Sequence, residues 1–243
     1  MTGRPADPVQ LWLVTDRQPG APASPALLGV LDAEERLRAD GYRSADDRRR
    51  FVLAHGATRL IVARYLGAPA AALRWDHGPH GKPELTGRWT GAQVNLSHSD
   101  EVSMVALTAS RRIGVDVQRI VPRLDAAAMA HRYFPPDEAR FVRAAADPER
   151  RAERFARLWA RKEALVKAHG GRLTQGLRIP VHGPENSPVR TPAHGSDHPD
   201  DAWSHDYRIA DVPAPPGYRA AVALSGRAGY RLAWRRWSTD RGD

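Results

Sequence analysis

The sequence predicts an α+β fold of two similar halves, each a small antiparallel sheet packed on one long helix. Apolar residues recur at helical spacing in 46–66 and 151–169, which gives each half of the 243-residue chain one long helix. Short alternating stretches surround both helices, without the regular strand–helix alternation that a parallel sheet requires. We therefore expect an N-terminal half at residues 1–110 and a C-terminal half at 111–243.

The first half begins with an alternating stretch, 10–16, which predicts the first strand. The helix at 46–66 follows, with its apolar residues on one face. Two short strands are predicted at 93–96 and 102–108, on either side of a polar bend at 97–100. These elements are sufficient for a small sheet covered by one helix.

The second half begins with a strand at 112–121 and a helical stretch from Leu124. The Pro-Pro-Asp sequence at 135–137 is typical of a helix start and predicts a helix at 138–145. The long helix 151–169 ends at a glycine pair, which is typical of a helix C-terminus.

The last sixty residues predict a surface loop and a closing hairpin. Residues 183–217 are rich in Pro, His, Asp and Ser, so we expect a long loop with one strand near 207–209. Residues 218–224 and 230–237 alternate, and we expect them to pair as a hairpin.

Composition narrows the kind of site and of partner. The absence of cysteine excludes disulfides, thiolate metal sites and cysteine nucleophiles, so Mg²⁺ or Mn²⁺ is the favoured metal. No apolar run approaches the roughly 18 residues that span a bilayer, and the first ten residues lack the shape of a signal peptide. We therefore expect a cytoplasmic protein with no membrane partner. The net charge of +9 favours an anionic partner: nucleic acid, a phosphate ligand or an acidic protein.

A carboxylate interrupts the apolar strand 112–121. Asp116 and Gln118 leave the same face of this strand because side chains alternate, while Val115 and Val117 take the other face. A buried strand gains nothing from an unpaired carboxylate, and a carboxylate beside an amide supplies two oxygen ligands to a hard cation. Taken alone, Asp116 is also compatible with a turn or a salt bridge.

The helix 151–169 carries a stripe of Trp159, Glu163 and Lys167, because residues four apart share one face. Glu163 is a natural second carboxylate for a cation. Lys162 and Lys167 are two of only three lysines in the chain, and an ammonium group neutralises charge on a leaving phosphate. A solvated Glu–Lys pair is the alternative, and taken alone it is the commoner one.

Three polar segments of the first half are weaker candidates for phosphate contacts. Asn-Leu-Ser-His-Ser at 95–99 offers hydroxyl and imidazole donors, although a lone histidine in a turn is more often structural. Gly-Lys-Pro at 81–83 is a rigid turn that presents an ammonium group. Arginines between 36 and 50 either hold a phosphate or solvate the surface.

Taken in order, five segments resemble the surfactin-type 4′-phosphopantetheinyl transferases. They are GKP (81–83), NLSHS (95–99), GVDVQ (114–118), YFPPDEARF (133–141) and LWARKEALVKAHGGRL (158–173). Their order and spacing make the match specific, and it covers about residues 45–175. The resemblance implies two α+β halves related by a pseudo-twofold axis, with the active site between them in a monomeric chain.

The resemblance implies transfer of phosphopantetheine from coenzyme A to a serine of an acyl or peptidyl carrier protein, with Mg²⁺ (or Mn²⁺) and release of 3′,5′-ADP, in polyketide or nonribosomal peptide biosynthesis. By motif, Asp116 and Glu163 bind the metal, Glu163 helps deprotonate the serine, and Lys167 stabilises the leaving oxygen. The coenzyme A contacts that we expect are Lys82, Pro83, Ser97, His98, Lys162 and Lys167, with Arg43 and Arg50 near the phosphates.

The chain departs from the family at Gln118, where many members have a second acid. We therefore expect two protein carboxylates on the metal, with Gln118 as a weak ligand. Trp159 is expected to brace the helix, and Glu138 matches an acid of the family. We expect the carrier to dock beside 133–145, where Phe134 and Phe141 offer apolar anchors.

Two other functions are compatible with a basic chain that carries carboxylates. A nucleic-acid-binding module would need a recognised motif or aromatic residues interleaved on a basic face, and the sequence has neither. A magnesium-dependent nucleotide hydrolase usually has a glycine-rich phosphate loop, and GxxxxGK[ST] is absent.

Overall fold

A computed structural model describes residues 8–78, 81–184, 187–190 and 206–238, and over these residues the predicted α+β fold is confirmed. The strands are β1 (Pro8–Thr15), β2 (Trp75–His77), β3 (Pro83–Leu85), β4 (Gln93–Ser99), β5 (Val102–Thr108), β6 (Ile113–Arg119), β7 (Pro188–Arg190), β8 (Asp206–Val212), β9 (Tyr218–Ser225) and β10 (Arg231–Arg236). The α-helices are α1 (Pro25–Val30), α2 (Ala33–Asp40), α3 (Ala45–Leu66), α4 (Ala126–Tyr133), α5 (Pro136–Arg143), α6 (Pro148–His169) and α7 (Leu173–Gly176). No helix in these ranges is long and apolar enough to cross a membrane.

The two long helices lie where the sequence predicts them, and each has local signals at both ends. The Ser44 side chain accepts a hydrogen bond from the Asp47 N–H at the start of α3, and Asp147 does the same for Arg150 at the start of α6. Because Asp147 caps the helix, α6 begins before the predicted residue 151. Both helices end at glycines in the left-handed region, Gly67 (φ 61°) and Gly170 (φ 86°).

The sheet of the first half has the strand order β10-β1-β5-β4, and its edge strand β10 comes from the far end of the chain. β1 pairs antiparallel with β5 and parallel with β10, so this sheet is mixed rather than antiparallel. The predicted hairpin of 218–224 with 230–237 is therefore wrong. Both edges of β9 are already taken, by β6 and by β8, whereas β1 has one open edge.

The sheet of the second half is antiparallel, in the order β6-β9-β8-β7. The predicted loop at 183–217 thus contains two strands, β7 and β8, while residues 191–205 lie outside the described ranges. The helix α6 packs across β6 and β9. This packing places the face of β6 that carries Asp116 against the helix that carries Glu163 and Lys167.

The halves meet through their sheets, with the long helices on the outer sides. Leu11 and Met104 of the first sheet pack against Val115 and Val222 of the second in one apolar cluster. The opposite face of the first sheet, including Val105, packs on α3, and that of the second packs on α6. The layer order is therefore α3, first sheet, second sheet, α6. At one side of these layers β4 lies next to β6.

Candidate active site

Asp116 is buried at the interface of the halves, with only 4% of the residue exposed. Its Oδ1 accepts hydrogen bonds from Ser97 Oγ of β4 at 2.7 Å and from Lys167 Nζ of α6 at 2.6 Å. The second oxygen, Oδ2, is buried and has no hydrogen-bond partner. An orphaned carboxylate oxygen is costly in a protein interior, so a cation at this position would remove a real penalty.

Lys167 and Glu163 approach Asp116 from α6, as the stripe on this helix predicts. Lys167 forms an ion pair with Asp116 within the second half. Its Nζ also donates to Ser97 Oγ of β4 at 3.0 Å, and this hydrogen bond joins the two halves. Glu163 is half-buried; burial raises the pKa of its carboxyl, the neighbouring Asp116 charge raises it further, and Lys167 opposes both. Two carboxylates and one ammonium group therefore share one partly desolvated space.

A glycine in β6 sets the distance between this strand and α6. A Cβ at Gly114 would lie 2.1 Å from the carbonyl oxygen of Ala164 and 2.3 Å from the amide nitrogen of Ala168. Both are backbone atoms of α6, which cannot turn aside as a side chain can. Since Gly114 and Asp116 share one face of the strand, the missing side chain lets the helix come close enough for Lys167 to reach Asp116.

His98 and Ser97 point to opposite sides of β4. Ser97 faces Asp116, whereas His98 is exposed on the side of α3, the side on which Val94 and Leu96 pack. Partial desolvation lowers the pKa of His98, and the nearby charges of His55, Lys167 and Arg38 lower it further. Arg38, His55, His98 and Lys167 thus lie near one another beside the carboxylates, and the guanidinium and ammonium groups among them suit an anionic ligand.

Lys82 connects the first half to β6 and α6, the two elements of the second half that carry the site. Its Nζ donates to the carbonyl oxygens of Ile113, at the start of β6, and of Ala168, at the end of α6, at 3.2 and 3.5 Å. Burial lowers the pKa of this ammonium group to about 8. Pro83 begins the short strand β3 and is exposed. A coenzyme A contact by either residue stays a prediction.

The structure contradicts the expectation that Lys162 contacts phosphate. The residue is fully buried, its Nζ donates to the carbonyl oxygen of Ile179 at 2.6 Å, and it forms an ion pair with Glu138 Oε2 at 2.7 Å. Glu138 Oε1 in turn accepts from the backbone N–H groups of Val181 and His182. Lys162 lies one residue before Glu163, so the helical rotation turns it to the interior of the second half. The pair pins residues 179–182 to α6.

The aromatic residues around α6 also have structural roles. Phe134 is 1% exposed and stacks on Phe155, with Trp159 tilted against both rings. The expectation that Phe134 is a docking anchor is therefore wrong, because a buried ring cannot meet a partner. Trp159 does brace the helix, and Phe141 remains partly exposed beneath Arg154.

The remaining predicted site residues, Gln118, Arg43 and Arg50, make no hydrogen bond or ion pair with Asp116, Glu163 or Lys167 that the structure records. Gln118 is half-buried on the Asp116 face of β6, and its Nε2 donates to the carbonyl oxygen of Arg119. Arg50 is paired with Asp47 of its own helix, and Arg43 is exposed. Among the arginines of this segment, Arg38 is the one whose charge acts on His98. Sequence reasoning did not single out Arg38 among the arginines between 36 and 50.

A hard cation fits the carboxylates of this site. Asp116 Oδ2 has no hydrogen-bond partner, and Glu163 lies close enough for the Asp116 charge to raise the pKa of its carboxyl. Within the described ranges no three acidic or histidine side chains cluster around a metal position. Mg²⁺ needs no more than one or two protein carboxylates when substrate phosphate and water complete its octahedron.

Comparison with known proteins gives one consistent result. Residues 112–223, which hold Asp116, Glu163 and Lys167, match the model of the 4′-phosphopantetheinyl transferase superfamily. The chain is 34% identical over 223 residues to the 4′-phosphopantetheinyl transferase HetI of Nostoc sp., covering 91% of this chain and 89% of HetI. It is 26% identical over 200 residues to the transferase Sfp of Bacillus subtilis, covering 82% and 84% of the two chains. The transferase AcpT of Salmonella typhi is 35% identical over 123 residues, or 51% of this chain and 62% of AcpT. Asp116 of β6 and Glu163 and Lys167 of α6, which meet at the candidate site, thus all lie in the matched segment. The chain belongs to the 4′-phosphopantetheinyl transferase superfamily.

Proposed function

We propose that this protein transfers the 4′-phosphopantetheine group of coenzyme A to a serine hydroxyl of an acyl or peptidyl carrier protein, in a Mg²⁺-dependent reaction. The observation that carries the proposal is the meeting of Asp116, Glu163 and Lys167 where β4 of the first half borders β6, with no hydrogen-bond partner at Asp116 Oδ2. The transferase names of HetI and Sfp support the same reaction.

The chemistry divides among three side chains. The serine oxygen attacks the phosphorus that bears pantetheine, the bond from that phosphorus to the bridging oxygen breaks, and 3′,5′-ADP leaves. Glu163, whose raised pKa makes it a better proton acceptor than an ordinary carboxylate, takes the serine proton. Lys167 Nζ is placed to neutralise charge on the departing oxygen.

Asp116 and Glu163 would hold the metal, with Gln118 as a weak ligand and Mn²⁺ as a possible substitute for Mg²⁺. The bound cation would supply neutralisation of the pyrophosphate charge. Positioning and electrostatics carry most phosphoryl transfers, which agrees with a site that has no covalent nucleophile.

Coenzyme A would lie with its phosphates against a rim of Arg38, His55 and His98, in which the Arg38 guanidinium supplies the positive charge. The charges of Lys167 and Arg38 both act on His98, so one ligand could contact Lys167 and this rim together. In this arrangement Arg38 is the arginine that we place nearest to the phosphates, and the contacts of Arg43 and Arg50 stay predictions.

The carrier protein would dock beside α5, with Phe141 rather than Phe134 as its apolar anchor. Phe141 is partly exposed and stacks on His182, and α5 carries Arg140 and Arg143 near its end. An acidic carrier would be attracted to this face and to the +9 chain, and the association would weaken with salt.

We further propose a cytoplasmic monomer that serves polyketide or nonribosomal peptide synthesis, with no nucleic-acid or membrane partner. A monomer is supported by the site itself, since Ser97 and Asp116 come from the two halves of one chain.

One assay separates this function from its rivals: incubation with coenzyme A, Mg²⁺ and an apo carrier protein, followed by mass measurement of the carrier. A gain of the phosphopantetheine mass supports transfer. Breakdown of coenzyme A without that gain points to a hydrolase, and no change in either molecule favours a binding module.

A further inference from the structure

The strands β4 and β6 belong to different sheets, yet hydrogen bonds of one repeating kind connect them. Asn95 Oδ1 accepts from the Val115 N–H at 2.8 Å, Ser97 Oγ from the Val117 N–H at 3.3 Å, and Ser99 Oγ from the Arg119 N–H at 3.2 Å. Each acceptor lies 20 residues before its donor. We call Asn95, Ser97 and Ser99 the side-chain ladder.

The ladder supplies hydrogen-bond acceptors to the backbone N–H groups at the covered edge of the second sheet. Alternate N–H groups of β6 point towards β9, and the others point away from it, towards β4. Val115 and Val117 are buried, so their outward N–H groups cannot bond to water and need an acceptor in the protein. Strand β4 presents side-chain oxygens where a neighbouring strand would present backbone carbonyls.

The middle rung of the ladder reaches the reacting groups. A serine hydroxyl has one hydrogen to donate and two lone pairs to accept with. Ser97 donates to Asp116 Oδ1 and accepts from the Val117 N–H and from Lys167 Nζ, so its whole hydrogen-bonding capacity is used. The direction of the Asp116 carboxylate, and with it the position of the free Oδ2, therefore depends on where β4 lies against β6.

We infer that the side-chain ladder positions the metal carboxylate: Asn95 and Ser99 hold the two halves in register, and Ser97 fixes Asp116 Oδ1 so that Oδ2 remains available to a cation. This inference rests on the proposed metal site. Asn95 and Ser99 are positioning residues, since they bond to the backbone of β6 and to none of the reacting groups.

The test combines amide hydrogen exchange, followed residue by residue by NMR, with steady-state kinetics. Asn95→Leu keeps the approximate volume of the side chain and removes its acceptor oxygen. We expect the Val115 amide to exchange at least about tenfold faster than in the wild type, while the amide of Asp116, which points to β9, is unchanged. We expect kcat to fall about tenfold, with the KM values for coenzyme A and carrier within about twofold.

A matched pair at the middle rung separates the hydroxyl group from side-chain size. Thr and Val have nearly the same shape, so Ser97→Thr should retain most of kcat and the slow exchange of Val117, and Ser97→Val should lose both. If Asn95→Leu does not fold, Ser99→Val against Ser99→Thr applies the same comparison at the partly exposed end of the ladder, with Arg119 as the reporting amide.

Two results would overturn the inference. Val115 and Val117 amides that exchange in the wild type as fast as solvent-exposed ones would show that the ladder is not formed. Faster exchange in Asn95→Leu with an unchanged kcat would show that the ladder joins the halves without positioning Asp116. A wild-type protein that transfers no phosphopantetheine would refute the proposed function instead, and the exchange data would still decide whether the ladder exists.

Discussion

Replacing Gly114 by alanine tests how closely the catalytic groups are spaced. The added methyl group would lie 2.1 Å from the carbonyl oxygen of Ala164 and 2.9 Å from the carbonyl carbon of Lys167. Ordinary contact begins near 3.4 Å, so α6 must move away from β6 by about 1.3 Å to accept it. Glu163 and Lys167 move with the helix, whereas Asp116 stays on the strand.

The displacement has two consequences of different size. Overpacking of this kind costs about 1–3 kcal/mol of stability. Movement of reacting groups by roughly 1 Å costs on the order of 100-fold in rate, and here it would open the 2.6 Å contact between Lys167 Nζ and Asp116 Oδ1. We therefore expect Gly114→Ala to remain folded at 25 °C with kcat about 100-fold lower.

The measurement is phosphopantetheine transfer to a carrier protein, together with urea unfolding of the same samples. Gly29→Ala is the matched control, because a Cβ at Gly29 meets no atom within 4 Å and should leave kcat and stability close to those of the wild type. A Gly114→Ala protein with kcat within twofold of the wild type would refute the reasoning. It would show that the distance between α6 and β6 does not control the rate.

Four further substitutions test single side chains. Glu163→Ala should abolish transfer and leave the urea midpoint unchanged or raised, because burial and Asp116 disfavour the charge of Glu163; a lower midpoint would contradict this. Lys162→Met should leave Glu138 charged and without its ion-pair partner in the interior, which lowers the free energy of unfolding by about 3–5 kcal/mol. The KM for coenzyme A should not change. A raised KM with unchanged stability would show that Lys162 contacts phosphate after all. Gln118→Glu should tighten Mn²⁺ binding with activity retained, and a large loss of activity would assign Gln118 another task. Burial lowers the pKa of Lys82 from its ordinary 10.5 to about 8, so between these pH values the unfolded chain binds more protons and stability rises with pH. This rise, measured by urea unfolding at pH 8 and pH 10, should be smaller in Lys82→Met.

Much of the site was predictable because it depends on short-range periodicity. Alternation along a strand gives Asp116 a face, and four-residue spacing places Glu163 and Lys167 on one side of α6. What periodicity cannot tell is which side of a helix meets the interior when both sides carry charge. Lys162 and Lys167 both lie in one charged stretch, yet one is buried against Glu138 and the other reaches the cleft.

The incorrect predictions depend on tertiary pairing. Two alternating stretches at the end of the chain favour a hairpin locally, but β10 pairs with β1 because β9 has no free edge. The ladder had a signal in the sequence, since Asn95, Ser97 and Ser99 alternate with Leu96 and His98. The alternation shows a polar face on β4, but it does not show that this face bonds to the backbone of β6, because that neighbour is set by the tertiary fold. Gly114 gave a similar signal, because a glycine inside a strand pattern often marks close backbone approach.

The most direct test of the account is the mass of an apo carrier protein after incubation with coenzyme A, Mg²⁺ and either the wild type or Asp116→Ala. We predict that the wild type adds the phosphopantetheine mass to the carrier serine, that chelation of Mg²⁺ stops the addition, and that Asp116→Ala adds none although it remains folded. Equal modification by Asp116→Ala, or addition that persists after chelation, would contradict the assignment of Asp116 as the metal carboxylate.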